Sequence, residues 1–240
     1  MNSPQTLSII LPCYNPGAEW VAHVLSATYT IEQKLGSVEL IVVNDGSIKP
    51  DLLNELRAAY SKPELKLINL KKNTGKGYAL RQGVAEASGN LIIYTDIDFP
   101  YKVESFMEIY RLLKKNQVDV AIGVRGDDYY KHLSASRIRV SKFLRMLIKT
   151  LLLLSTDDTQ CGLKGFNLKG RKVFLQTTIN RYLFDLEFIF LAAQENLTIV
   201  TSEVKLRPEV SLTKMNWKIL FQESLNFLRI FILSIFSKPK

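Results

Sequence analysis

The chain has 240 residues, a formal net charge of +9, 47% apolar residues and 23% charged residues. That apolar content excludes a disordered chain, and a count of only two cysteines excludes a small scaffold held by disulfides. The length is ample for a full hydrophobic core, in one large domain or two small ones.

In chain order, the opening MNSPQT runs straight into an apolar stretch, without the basic and hydrophobic regions expected of a secretory signal. Residues 7–11 form a short apolar run ending at Pro12, the pattern of a buried strand. Residues 18–35 read as a helix with Gly36 as its stop. A second strand is expected at 39–43, followed by Asn-Asp-Gly-Ser, a helix at 50–60 and a third strand at 65–70. Residues 75–87 start with glycines and continue helically, and 91–95 read as a fourth strand ending at Asp96-Ile97-Asp98. A helix at 102–116 and a fifth strand at 118–124 complete the alternation. Repeated strand and helix with short continuous apolar strands predict an α/β fold, a mostly parallel sheet covered on both faces.

In such sheets a ligand binds beyond the carboxyl ends of the strands. Polar residues cluster there: Tyr14 and Asn15, then Asp45, then Asp96 and Asp98, then Arg125. Single clusters of this kind are ordinary turn chemistry, but four at the ends of four of the five strands predict one shared site.

Two carboxylates one residue apart, as in Asp96-Ile97-Asp98, can face one point where the backbone turns. Mg²⁺ or Mn²⁺ accepts such oxygens and takes water and substrate phosphate as further ligands. Asp45 can accept hydrogen bonds from a base or ribose hydroxyl, or it is simply part of an Asn-Asp-Gly turn. Asn73-Thr74-Gly75-Lys76-Gly77 precedes a helix and can cradle phosphate at its N-terminus. Neither the Walker A spacing nor G-x-G-x-x-G is met. Cys13 and Cys161 show no metal or redox spacing and read as ordinary thiols of a reducing compartment. His23 and His132 are isolated, so neither a histidine-built metal site nor hydrolase chemistry is expected.

Together these motifs resemble the inverting nucleotide-sugar glycosyltransferases of the GT-A fold, glycosyltransferase family 2. Ile10-Leu11-Pro12-Cys13-Tyr14-Asn15 is similar to their opening strand, and Val43-Asn44-Asp45-Gly46-Ser47 to their nucleotide-binding acid. Residues 73–77 resemble their glycine loop, and Asp96-Ile97-Asp98 their metal-binding DxD. Within the family, Asp158-Thr159-Gln160-Cys161-Gly162-Leu163-Lys164-Gly165-Phe166 resembles the DTQCGFK-type motif of the dolichyl-phosphate glucosyltransferases. Arg181-Tyr182-Leu183-Phe184-Asp185-Leu186-Glu187 resembles the aromatic–Asp–x–Glu element that follows it. The resemblance spans residues 7–215, taken as the catalytic domain, with 216–240 as an appended amphipathic helix. Three departures stand out: Pro16 where the family often has an acid, Pro100 where mannosyl members carry a Gln, and no glycine in the late Arg–Lys segment. The QxxRW motif of processive synthases is also missing, which argues for one sugar per turnover.

The resemblance implies transfer of one sugar, with inversion, from a nucleotide diphosphate to a polyprenyl or dolichyl phosphate. It favours UDP-glucose, with GDP-mannose next. The alternatives are a soluble or cell-wall glycan acceptor, and a non-catalytic binding module. The catalytic pair it implies is Asp98, with Asp96 beside it on Mg²⁺ or Mn²⁺, and Asp185 should a base be needed. Asp185 and Glu187 can equally serve as charges or caps at a helix N-terminus. Donor contacts are implied for Pro12, Tyr14, Asn15, Asp45, Lys76, Asp96, Arg207 and Lys214, and a sugar pocket for Asp158, Gln160 and Gly162. Arg125, Arg137 and Arg139 are the implied grip on the acceptor phosphate, a task suited to the arginine fork.

The surplus charge is local. Residues 131–150 hold six basic residues and no acid, and residues 205–240 hold seven basic residues against two acids. At about 100° per residue, Arg139, Lys142, Arg145 and Lys149 share one side of residues 138–154, opposite a leucine-rich face. This is either a membrane-surface helix or a surface helix packed on the core. Residues 216–236 put Trp217, Leu220, Phe221, Leu225, Leu228, Phe231, Ile232 and Ile235 on one broad face. The apolar run there is too short to span a bilayer, so an interfacial helix is expected, with a homodimer or partner contact as the alternative. The expected address is the cytoplasmic side of a membrane, held peripherally. Leucine backing without interleaved aromatics argues against nucleic acid.

Overall fold

The computed structural model describes residues 6–49, 51–115, 117–126, 161–181, 183–208 and 230. Their elements are β1 (Leu7–Cys13), α1 (Trp20–Leu35), β2 (Glu39–Asn44), α2 (Leu52–Ala59), β3 (Leu65–Asn69), α3 (Lys76–Glu86) and β4 (Leu91–Tyr94). There follow α4 (Val103–Leu113), β5 (Val120–Arg125), β6 (Lys164–Asn167), α5 (Leu168–Phe174), α6 (Phe184–Gln194) and β7 (Ile199–Val204). Every strand and helix expected over the first 125 residues is present, with ends shifted by a few residues.

One seven-stranded sheet runs in the order β3-β2-β1-β4-β6-β5-β7. All its pairs are parallel except those of β6, which lies antiparallel between β4 and β5. β1 continues past the expected stop at Pro12, to Cys13. Proline is tolerated there because pairing with β4 ends at Ile10, so the missing N–H breaks no bond on that side. β6 lacked a sequence signal because Lys-Gly-Phe-Asn is not an apolar run. Gly165 is needed for its central place, since a Cβ would press on Leu113 and Ile93 at 2.6 and 2.8 Å.

Alternation along the strands divides the core into two layers. Ile9 and Leu11 of β1, Leu40 and Val42 of β2, and Leu91 and Ile93 of β4 face α1, α2 and α4. Ile10, Ile41, Val43, Ile92 and Tyr94 face the other way, onto α3, α5 and α6. That second layer holds a ring cluster in which Phe174 stacks on Phe166 at 5.2 Å and meets Phe188 edge-on at 5.0 Å. Ile230, the one described residue of the 216–240 span, is 1% exposed and belongs to this second layer. The rest of that span, and the expected helix at 138–154, lie outside the described residues.

Because the strands other than β6 are parallel, their carboxyl ends share one edge of the sheet. Antiparallel β6 starts at that edge, so the residues just before it arrive there too. This places Tyr14 and Asn15, Asp45, Asp96 and Asp98, Arg125, Gly162 and Arg207 along one rim.

Candidate active site

The rim is built from interlocked loops. The left-handed Asn15, at φ 44°, accepts from the Ile48 N–H at 2.9 Å, while its own N–H donates to Ser47 Oγ at 2.9 Å. The loops after β1 and β2 are thereby tied together, with Tyr14 left half exposed beside them. Pro12 stays within β1, opposite Val43.

Asp45 is buried at 3% exposure, and its carboxylate organises the next loop. It accepts from the N–H groups of Thr74 and Gly75, both at 2.8 Å, and from Asn73 Nδ2 at 3.1 Å. Three of its roughly four acceptor positions are thus used within the chain. The Asn-Asp-Gly segment therefore acts over long range, beyond a local turn.

At the start of α3, where a phosphate cradle was expected, two of the helix's first N–H groups are already engaged within the chain. The Gly77 N–H donates to the Asn180 carbonyl at 2.8 Å and the Tyr78 N–H to the same oxygen at 3.4 Å. Asn180 is itself held by Arg81, whose guanidinium also donates to the Ile179 carbonyl at 2.8 Å and to Thr177 Oγ1 at 3.3 Å. These N–H groups at the helix N-terminus are met by a loop more than a hundred residues downstream. Glycine is required at 75, where φ is 113° and a Cβ would strike Asn180.

Lys76, which follows this loop, is half-buried. Its Nζ lies 2.6 Å from Asp96 Oδ1. Burial alone would lower its pKa, but the charges of Asp96 and then Asp185 outweigh that, so the ammonium is held above its ordinary value.

The DxD sits on a tight turn in which the Phe99 N–H donates to the Asp96 carbonyl at 3.0 Å. Phe99 adopts a left-handed φ of 46° and is buried, an arrangement unusual for a bulky side chain and held by its packing in the first core layer. Asp98 is exposed on this turn. Partial burial and the neighbouring charge of Asp96 push its carboxyl above the usual range, against the opposing pull of Arg207 and His23. Residues beyond the turn pair with the segment after β7: Lys102 N–H to the Lys205 carbonyl and Arg207 N–H to the Pro100 carbonyl, both at 2.9 Å. This strap delivers Arg207, whose Nη2 donates to the Asp98 carbonyl at 2.8 Å. Arg207 Nε is buried with no hydrogen-bond partner among the described residues, a donor directed by the same side chain.

Gly162 closes the site from the β6 side. A Cβ there would overlap the Asp96 carboxylate. Its N–H donates to Tyr101 Oη at 3.1 Å, so Tyr101, which carried no sequence signal, fixes the turn. Asp185 lies below, 4% exposed, with Lys164 Nζ 2.7 Å from its Oδ1 and the Tyr94 hydroxyl donating to it. Glu187 accepts from the Thr178 and Ile179 N–H groups at 2.8 Å each and so staples the loop that meets α3. Arg125 ends β5 opposite Val204. Arg137, Arg139, Asp158, Gln160 and Lys214 lie outside the described residues.

Among the described residues no group of three or more His, Cys, Asp and Glu side chains gathers to hold a metal. Asp96 and Asp98 are a partial oxygen set, which fits an ion completed by water and substrate phosphate. The charge of the pair, which adds to burial in raising Asp98, is what such a cation would neutralise.

A sequence profile described as Glycosyl transferase family 2 matches residues 8–174. The chain belongs to glycosyl transferase family 2. This family 2 chain is 31% identical over 224 residues to a dolichyl-phosphate beta-glucosyltransferase of Drosophila melanogaster, covering 84% of this chain and 66% of that one. It is 28% identical over 216 residues to the Saccharomyces cerevisiae protein of the same name, covering 80% and 64%. It thus spans a little under two thirds of the length of these relatives. Among solved structures, glucosyl-3-phosphoglycerate synthase from Mycobacterium tuberculosis, in complex with Mn²⁺, UDP and glucosyl-3-phosphoglycerate, superposes with a TM-score of 0.69 at 16% identity. The match covers 96% of this chain and 80% of that one. The same synthase with Mg²⁺ and UDP gives a TM-score of 0.66 at 17% identity, covering 96% and 79%. The α/β GT-A fold and the family implied by the sequence motifs are borne out. No helix among the described residues is long and apolar enough to cross a membrane.

Proposed function

We propose that this family 2 glycosyltransferase moves one sugar from a nucleotide diphosphate to a polyprenyl- or dolichyl-type phosphate with inversion, UDP-glucose being the favoured donor and GDP-mannose the next. The observation that carries the reading is the meeting of Asp96 and Asp98 with Lys76, Gly162 and Arg207 on one rim. The names of the relatives support a lipid-phosphate acceptor, and the fold neighbours in complex with Mn²⁺ or Mg²⁺ and UDP support the cofactor and a uridine donor.

Asp98, with Asp96, would hold Mg²⁺ or Mn²⁺, which when bound supplies charge neutralisation to the leaving diphosphate. Lys76 and Arg207 add fixed positive charge on either side of the same carboxylates, where negative charge develops as the sugar leaves. Asp45 holds the Lys76 loop in place and Gly162 keeps Asp96 within reach. Arg125 stands at the rim to orient the acceptor phosphate, with Arg137 and Arg139 assigned to the same task. A phosphate acceptor is already anionic at neutral pH, so the nucleophile needs no strong base. The basic, leucine-backed segments would keep the enzyme at the cytoplasmic face of the membrane that holds the acceptor.

The test is a donor screen with labelled nucleotide sugars, Mn²⁺ or Mg²⁺ and polyprenyl phosphate in detergent. A chloroform-soluble labelled product is expected, and Asp98→Ala should lower turnover by at least about 100-fold. Label that appears only in a water-soluble product would replace the lipid acceptor by a soluble one. Unchanged turnover in Asp98→Ala would remove the metal assignment.

A further inference from the structure

Lys164 is fully buried, yet nothing in the transfer step uses it. Its ammonium donates to the Cys161 carbonyl, lies 2.7 Å from Asp185 Oδ1 and sits 5.8 Å from the centre of the Tyr94 ring. The Tyr94 hydroxyl donates to the same Asp185 oxygen. One end of this group reaches the rim. Cys161 directly precedes Gly162, which packs against Asp96 and is pinned by Tyr101.

We propose that Lys164 and Asp185 form a positioning pair, which fixes the Cys161–Gly162 turn behind Asp96, and that Asp185 does not take a proton in the transfer. The proposal rests on the assignment of Asp96 and Asp98 as the cation-holding acids. The Asp185 carboxylate has 6% side-chain exposure, and its Oδ1 is already committed to an ammonium and a phenol. A buried ion pair is seldom a net source of stability compared with apolar residues of the same volume. Its retention at this place fits a role in fixing the site. Partners of this kind, one shell behind a ligand, typically change metal affinity by about 10-fold or more when removed.

The experiment compares Lys164→Met, Asp185→Asn and the double variant in the full chain, with Mn²⁺ as the probe. Melting of the metal-free protein and Mn²⁺ affinity, from the electron paramagnetic resonance of free Mn²⁺, are read beside turnover. Each single variant strands one buried charge, so its melting temperature should fall by about 10 °C and its Mn²⁺ affinity by about 10-fold. The double variant strands neither charge and keeps an acceptor for Tyr94. It should recover Mn²⁺ affinity to within about 3-fold and turnover to within about 10-fold of the parent. A double variant that binds Mn²⁺ like the parent but turns over about 1,000-fold more slowly would make Asp185 a chemical base and overturn the proposal. Single variants with parental Mn²⁺ affinity would overturn the coupling to Asp96. If the double variant does not fold, Tyr94→Phe removes only one bond to Asp185. It should weaken Mn²⁺ binding severalfold with the fold intact, and parental affinity there would overturn the proposal. A wrong acceptor would show in the products of the parent enzyme and leave these Mn²⁺ comparisons standing.

Discussion

At the residue scale the site is defined less by what its side chains offer than by what their neighbours prevent. Asp96 is held by Lys76 on one side and by the bare Cα of Gly162 on the other. Gly162→Ala places a methyl group where the Asp96 carboxylate lies, so the acid must rotate or the turn must move. Turnover should drop about 10- to 100-fold, because small displacements of a positioned group are felt strongly in rate. The melting temperature should change little, since the turn is at the sheet edge. Steady-state kinetics beside thermal melting check this, and parental kinetics would mean that Asp96 is free of the turn. Cys13, in contrast, is chemically quiet: burial pushes its thiol up to about 12, so alkylation of the native protein at neutral pH should spare it.

At the scale of elements, the opposite edge of the sheet depends on one carboxylate. Glu39 at the start of β2 accepts from Ser8 of β1 and from the N–H and hydroxyl of Ser88 before β4, both at 2.8 Å, and pairs with Lys66 of β3 at 2.6 Å. Burial alone would raise its pKa, but the bonds from Lys66, Ser8 and Ser88 prevail and hold it at about 2. A depressed carboxyl pKa adds stability that is complete above its unfolded value, near 4.3, and is lost as pH falls toward about 2. Urea unfolding from pH 5 to pH 2.5 should therefore show a decline that Glu39→Gln flattens. Equal slopes in the two proteins would show that the carboxylate is not held in this way. The same scale shows what a sequence can reveal. β1 to β5 were legible because each is an apolar run closed by turn residues, and their acids fell at the rim because parallel strands share an edge. β6 was not, since a buried lysine in a short strand makes sense only once Asp185, 21 residues later, is placed against it. The contact on α3 was hidden for the same reason: a helix N-terminus advertises open donors locally, and Asn180 meets two of them from far along the chain.

For the whole molecule, the question is where the net charge of +9 acts. Outside residues 131–150 and 205–240, acids outnumber bases by two, so the sheet and its helices do not carry the surplus. The surplus belongs to two segments backed by leucine, the second also rich in aromatic residues, and one member of the second, Ile230, is buried in the protein's own second core layer. Ile230 is thus committed to the protein's own core. Basic residues near an anionic bilayer contribute about 1 kcal/mol each and lose it within a Debye length, about 10 Å at 0.1 M salt. The protein should therefore co-sediment with vesicles containing phosphatidylserine at low ionic strength, release in about 0.5 M salt, and ignore neutral vesicles. Binding that persists in high salt would instead point to insertion of the apolar face. No binding at low salt, together with a dimer in light scattering, would reassign the same apolar residues to a contact between copies.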